Sequence, residues 1–340
     1  MAYQTGTATD LGDLLTQLDT FIVANGWTQN DFDDGASVAA EGFAQWTKNT
    51  IHVGVKWVAN APNNMSIHQA TGNGGAVFPG AHTGDSGNGY NASFGTDAQL
   101  DDERCVNDIG DGPFVSYHFF EQDASPAYVH VVVEIASETF RHFGWGEMEK
   151  FNDWTGGDYC YGHFADEATN SSAVDTGAYP LFDGIQPSTA STARRCATIQ
   201  AQDLPNQLAA ERWLHHQGGA TDLDSADRLD TAGEIKRVTF GGFRGGPVAY
   251  PMASFRSDVS TGHIPMYPFA IFLRDFTNDF VYFLGNIPDI RGIDMFNFSA
   301  GQSVTIGSDT WFLFPQVRRT EDNVVGRTYY SGIAYKQVTA

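Results

Sequence analysis

Between residues 114 and 148 the chain sets down the same kind of run three times. Phe114–Phe120, Tyr128–Ile135 and Thr139–Met148 are each apolar and aromatic, and they are parted by Glu121–Ala127 and Ala136–Glu138. Runs this short suit strands better than helices. Connections this short suit a strand that reverses beside its predecessor, because parallel pairing needs a crossover of a dozen residues or more. The block therefore reads as an antiparallel meander. It sets the expected fold class: mainly β (α+β), with antiparallel β-sandwich-like domains, an N-terminal amphipathic helix and one further short helix.

Flanking patterns extend this reading. Leu11, Leu14, Leu15, Leu18, Phe21 and Ile22 recur at helical spacing; Asp10 is placed to cap the helix and Asn25-Gly26 to stop it before Trp27. Val38–Trp46 and Ile51–Ala59 flank Thr47-Lys48-Asn49-Thr50 as a hairpin, and a strand around Tyr159–Phe164 follows a turn at Thr155-Gly156-Gly157-Asp158. Asp203–His216 reads as the second helix, with Asp203 as cap and Pro205 in its first turn. Beyond it Ile235–Arg244, Pro247–Phe255, Met266–Arg274, Phe280–Gly285, Ser303–Ile306, Thr310–Phe314 and Thr328–Val338 are strand candidates.

A chain of 340 residues exceeds the size at which one core usually keeps growing, which favours more than one packed unit. The expected division is 1–30 as an N-terminal arm and helix and 31–200 as a first β domain with long glycine-rich loops. Residues 201–234 follow as a helix and acidic connector, and 235–340 as a second β domain. Residues 71–104, rich in Gly, Asn, Asp and Ser, read as a long loop excursion, and 165–200 as a polar connector or surface loop.

The formal charge of −22 comes from 41 Asp+Glu against 19 Lys+Arg. Such a surface repels DNA and anionic membranes, since binding either needs a basic footprint. At most, DNA would slide past an acidic lumen. Cys105, Cys160 and Cys196 are sparse and unpaired in spacing, as in a protein made in a reducing cytoplasm. Met1–Asp10 has no basic stretch leading into an apolar one, and no apolar run approaches the roughly 20 residues that span a bilayer. No membrane association is expected.

Candidate chemistry is thin. Phosphate-binding glycine loops, G-x-S-x-G and H-E-x-x-H are absent from the sequence. His118, His130, His142 and His163 lie on neighbouring predicted strands, but without the close ligand pairs of zinc sites; each is expected to satisfy a buried polar contact or a strand end. The adjacent His215-His216 is weaker still. Asp31, Asp33 and Asp34, and Asp222, Asp224, Asp227 and Asp230, suggest calcium. Yet the positions that require Gly and Glu in a calcium loop hold Ala36 and Gly42, or Asp227 and Gly233. Glu147 and Glu149, beside Trp145 and Trp154, form the best enzymatic pair: on one strand face they would stand about 7 Å apart, a glycosidase-like spacing. No catalytic, cofactor or metal residues are assigned, and no cofactor is expected.

Three segments carry a family resemblance. Thr5-Gly6-Thr7-Ala8-Thr9-Asp10-Leu11-Gly12-Asp13-Leu14-Leu15, with Leu18, Phe21 and Asn25-Gly26-Trp27, resembles the start of many tailed-bacteriophage virion proteins, where a small-residue arm precedes a helix and a Gly-Trp turn into a strand. Tyr128–Glu134, Phe140–Gly146 and Thr155-Gly156-Gly157 are similar to the central meander of the same group, and Val304–Pro315 with Tyr329–Tyr335 to the closing hairpin of phage tail and neck proteins. The resemblance implies a non-enzymatic structural subunit of a phage particle. It would form part of a symmetric ring in the tail tip, baseplate or neck, made in the host cytoplasm and carried in the virion. Its partners would be copies of itself and other virion proteins. Leu11, Leu14, Leu18 and Phe21 are the residues expected at the oligomer interface. The alternative is a virion module that binds or cleaves host glycans, with Glu147 or Glu149 essential.

Overall fold

The computed structural model describes residues 2–35, 41–58, 64–70, 104–107, 109–162, 164–165, 178–179, 197–202, 212–215, 236–240, 264–275, 280–315 and 331–337. The fold is mainly β, with antiparallel sheets and one helix among the described residues.

The first half of the chain runs β1 (Ala2–Ala8), α1 (Leu11–Ala24), β2 (Thr28–Asp33), β3 (Glu41–Lys48), β4 (Ile51–Val58), β5 (Met65–Ala70) and β6 (Arg104–Asn107). The meander follows as β7 (Phe114–Gln122), β8 (Tyr128–Ala136) and β9 (Thr139–Glu147), then β10 (Glu149–Lys150) and β11 (Thr155–Tyr161). Short strands β12 (Phe164–Ala165) and β13 (Ala178–Tyr179) precede β14 (Ala197–Gln202) and β15 (Arg212–His215). The last part holds β16 (Lys236–Phe240), β17 (Met266–Asp275), β18 (Phe280–Asp294), β19 (Gln302–Ile306), β20 (Asp309–Pro315) and β21 (Ser331–Gln337).

Three large sheets result. The central one has the order β1-β7-β8-β9-β11-β14-β15, a second β2-β3-β4-β5-β6, and a third β16-β17-β18-β21-β20-β19, to which β10 adds through β18; β12 and β13 pair apart. The meander β7–β8–β9 is antiparallel as expected. The expected N-terminal arm is a strand of the central sheet, with Ala2 opposite Glu121 and Ala8 opposite Phe114.

Helix α1 starts where Asp10 accepts the Asp13 backbone N–H at 2.9 Å and ends at Asn25, with Gly26 at φ 87° turning the chain into Trp27. Its stripe is spent inside the subunit. Leu14, Leu15, Leu18 and Ile22 are fully buried, and Leu11 and Phe21 are at most 5% exposed. They pack with Trp46, Val55, Phe119 and Trp145 in one core. Leu11, Leu14, Leu18 and Phe21, the residues expected at an oligomer interface, thus lie in the core of the subunit and offer little accessible area to a second copy.

The central sheet is covered on both faces. Phe119, Val131, Val133, Phe143 and Trp145 point into the core shared with α1 and the second sheet. Phe120, Val132 and Phe140 point the other way, against Ile271, Ile290, Phe314 and Tyr335 of the third sheet. Two-sided burial explains why Tyr128–Val133 reads as a continuous apolar run rather than an alternating one. Each such side chain contributes about 1.5–3 kcal/mol on leaving water.

Several boundaries differ from the sequence reading. Arg212–His215 is a strand paired with β14, not the end of a helix; a ladder partner outweighs weak local helix preference. Residues 203–211 of that expected helix lie outside the described residues, as do Pro247–Phe255, residues 71–103 of the long loop, and 166–177 and 180–196 of the connector. The expected turn Thr155–Asp158 belongs to β11, whose pairing with β14 shifts register between Gly156 and Tyr159, with Gly156 and Gly157 at φ 103° and 107°. Strand β18 continues well past Gly285, to Asp294. The strands of residues 236–337 share one sheet with β10, and the apolar face of that sheet shares a core with the central sheet.

Candidate functional site

A group of polar, titratable side chains lies between the central and third sheets. His130 on β8 and His142 on β9 face this layer because they share the pleat parity of Tyr128, Val132 and Phe140. His130 Nε2 meets the Pro288 carbonyl at 3.1 Å and its Nδ1 the Tyr161 hydroxyl at 2.7 Å. His142 repeats the arrangement, with Nε2 at 2.9 Å from the Pro315 carbonyl and Nδ1 at 2.8 Å from the Tyr335 hydroxyl. A carbonyl can only accept, so Nε2 carries the proton in both rings and Nδ1 accepts from the tyrosine.

The hydroxyls of Tyr161 and Tyr335 also reach each other, which joins the two histidines into one chain between two backbone carbonyls. Two ring N–H groups and two O–H groups serve this chain, one donor fewer than its links. Filling the last link would take an imidazolium, and burial opposes that: desolvation pushes His130 down to about 3 and His142 down to about 4. The tyrosines stay protonated, because burial raises all of Tyr128, Tyr159, Tyr161 and Tyr335. Tyr128 donates to Asp289 Oδ2 at 2.9 Å, and Asp289 in turn lies 3.6 Å from Lys336 Nζ. His118 sits nearer the edge, with Nδ1 at 2.9 Å from the Tyr3 hydroxyl, and burial brings it down to about 4.

The expected use of His118, His130 and His142 in buried polar contacts is what the structure shows; each meets a different tyrosine. Among the described residues no three His, Cys, Asp or Glu side chains stand where they could hold a metal. His163 and His216 lie outside the described residues, and so does the acidic loop with Asp222, Asp224, Asp227 and Asp230. Asp31 and Asp33 take up local backbone N–H groups, of Phe32 at 3.0 Å and Gly35 at 2.9 Å.

Glu147 and Glu149 do not share a strand. β9 ends at Glu147, whereas Glu149 begins β10 and pairs with Asn286 of the third sheet. Glu147 Oε2 accepts from Ser125 Oγ at 2.8 Å and Ala127 N at 3.2 Å, which ties down the β7–β8 connection. Glu149 is exposed at the rim; partial burial raises its pKa, with Arg291 and Lys336 opposing and Asp289 adding to the rise. The spacing along one strand that suggested a glycosidase pair is therefore corrected.

A recess of about 680 Å3 opens at the start of α1, among Asp10, Asp13, Asp34, Asp111 and Trp57. Asp10 is spent on the helix cap. Asp13 accepts from Thr9 N at 2.8 Å and Gln17 Nε2 at 3.3 Å, and the Thr9 contact holds its carboxyl below the usual range.

Glu121 is the buried group that the sequence reading placed in a connection. It lies in β7, is 1% exposed, and accepts from Trp27 Nε1 at 3.2 Å, with Lys48 Nζ at 4.0 Å. Burial pushes its carboxyl up to about 7 against the pull of Lys48. Parity could have found it, since Tyr117, Phe119 and Glu121 share one strand face. No known protein family matches this chain, and no curated protein sequence matches it.

Proposed function

We propose that this chain is a non-enzymatic structural subunit of a tailed-bacteriophage particle. Copies of it stand side by side in a symmetric ring at the tail tip, baseplate or neck, in contact with other virion proteins. It is made in the host cytoplasm and carried in the virion. The three resembling segments support the reading, and they fall on β1–α1, on the β8–β9–β11 core of the central sheet, and on β19–β20 and β21. The observation that carries it is the engagement of both ring nitrogens of His130 and of His142. These groups, the ones best suited to proton transfer, act as cross-links between two sheets, a use that favours a rigid building block.

The excess of 41 acidic over 19 basic residues suits a ring lumen past which DNA slides without sticking. Native mass spectrometry of the full chain, alone and mixed with the tail, baseplate and neck proteins of the same particle, tests the proposal. The expected result is a closed assembly of fixed copy number that binds at least one of them. A chain that stays monomeric at every concentration and binds none overturns it.

A further inference from the structure

The ends of the three large sheets are β1 and β15, β2 and β6, and β16 and β19. An end strand offers unpaired backbone groups to any other chain, and folded proteins blunt such edges with charge, proline or bulges. Three of these end strands have described side chains throughout: β1, β2 and β19. β2 holds Asp31 and Asp33, while β1 is bent by a register shift between Gly6 and Ala8. β19, Gln302-Ser303-Val304-Thr305-Ile306, has no charge, no proline and no register shift against β20. It is also open: Gln302, Ser303, Thr305 and Ile306 are exposed, and no described strand lies beyond it. Val304 alone is partly buried, against the cluster of Ile293, Trp311 and Leu313.

The direction of its free groups follows from the hairpin. Gly307-Ser308 is a two-residue loop with Gly307 at φ 65°, so Ile306 and Asp309 close it as a hydrogen-bonded pair. Alternation then makes Val304–Trp311 a hydrogen-bonded pair, and turns the N–H and C=O groups of Ser303 and Thr305 outward.

We propose that β19 is a docking strand for the β19 of a second copy, paired antiparallel about a two-fold axis at Val304. In that register Ser303 faces Thr305 of the other copy, the two residues of each strand whose backbone groups point outward, so both pairs exchange their N–H···O bonds. Gln302 faces Ile306, and no ionisable side chain meets its like. This matters for a chain of net charge −22, whose copies repel one another through that charge. A self-complementary strand is what an isologous contact requires. The pair goes beyond the ring reading, since ring closure needs a heterologous contact elsewhere on the surface.

Sedimentation velocity and native mass spectrometry over a concentration series, on wild-type chain, Thr305→Pro and the double variant Ser303→Asp/Thr305→Asp, test the pair. Proline at 305 removes an outward N–H and leaves the β19–β20 ladder intact, and the aspartates place like charges in opposition; circular dichroism and thermal midpoints check that both variants stay folded. The expected result is an even-numbered wild-type assembly whose copy number halves in the folded variants. Wild-type and variants with the same assembly overturn β19 pairing and leave the ring standing. A wild-type chain that is monomeric throughout overturns both. Should Thr305→Pro not fold, the aspartate variant decides alone.

Discussion

Glu121 is surrounded by Trp27 and Lys48, and the two interlayer histidines by tyrosines and carbonyls, so burial acts on both kinds of group but with opposite sign. For the histidines the unfolded chain binds protons below about 6.5 while the folded rings stay neutral to about 4 or below. Their contribution is full at neutral pH and is lost as pH falls through that window, by an amount on the order of a few kcal/mol. For Glu121 the folded state keeps its proton up to about 7 while the unfolded carboxyl ionises from its ordinary value of 4.5, so stability falls as pH rises across that interval. Urea denaturation across pH should show both limbs. Glu121→Gln keeps an acceptor for Trp27 and is expected to flatten the upper one, gaining on the order of 1–2 kcal/mol at pH 8 relative to pH 4.5, discounted for the loss of the Lys48 partner. An unchanged upper limb in the variant would show that Glu121 is ionised in the folded protein.

Helix α1 is the element whose local code is most complete, with cap, stripe and stop all written within residues 10–26. Asp10→Ala removes the acceptor for Asp13 N and is expected to cost about 1 kcal/mol. Leu14→Ala empties a fully buried position and is expected to cost about 2–5 kcal/mol. Both are read from denaturation midpoints. Neither is expected to change the copy number of the assembly, because the stripe is internal; a Leu14→Ala chain that stays as stable as wild-type but loses its assembly would return this stripe to an interface. The hairpin β3–β4 and the meander were equally legible, since period-two alternation and short polar turns are local properties. Arg212–His215 was not, because its strand state depends on β14 being there to pair with.

At the scale of the molecule, the chain crosses from the central to the third sheet between Glu147 and Glu149, and Gly285 makes that crossing possible. A Cβ there would run into the Glu149 carbonyl, with the Glu149 C and Lys150 Cα both at 3.0 Å. Gly285→Ala is expected to part β10 from β18 and to lower the thermal midpoint by several degrees. Hydrogen exchange should speed at Phe151, whose N–H donates to the Leu284 carbonyl, while Val131 on the far side of β8 stays protected. The amino-acid sequence by itself determined the β-rich class, the one described helix with its cap, and the reversal of most neighbouring strands, because spacing and turn chemistry act over a few residues. Only the tertiary structure decided that α1 faces its own sheets, that Glu147 and Glu149 belong to different ones, and that His142 finds Tyr335 across 193 residues of chain. Partners so remote leave no periodic trace: they are chosen by which sheet faces meet, and that depends on the summed burial of both faces rather than on any local pattern.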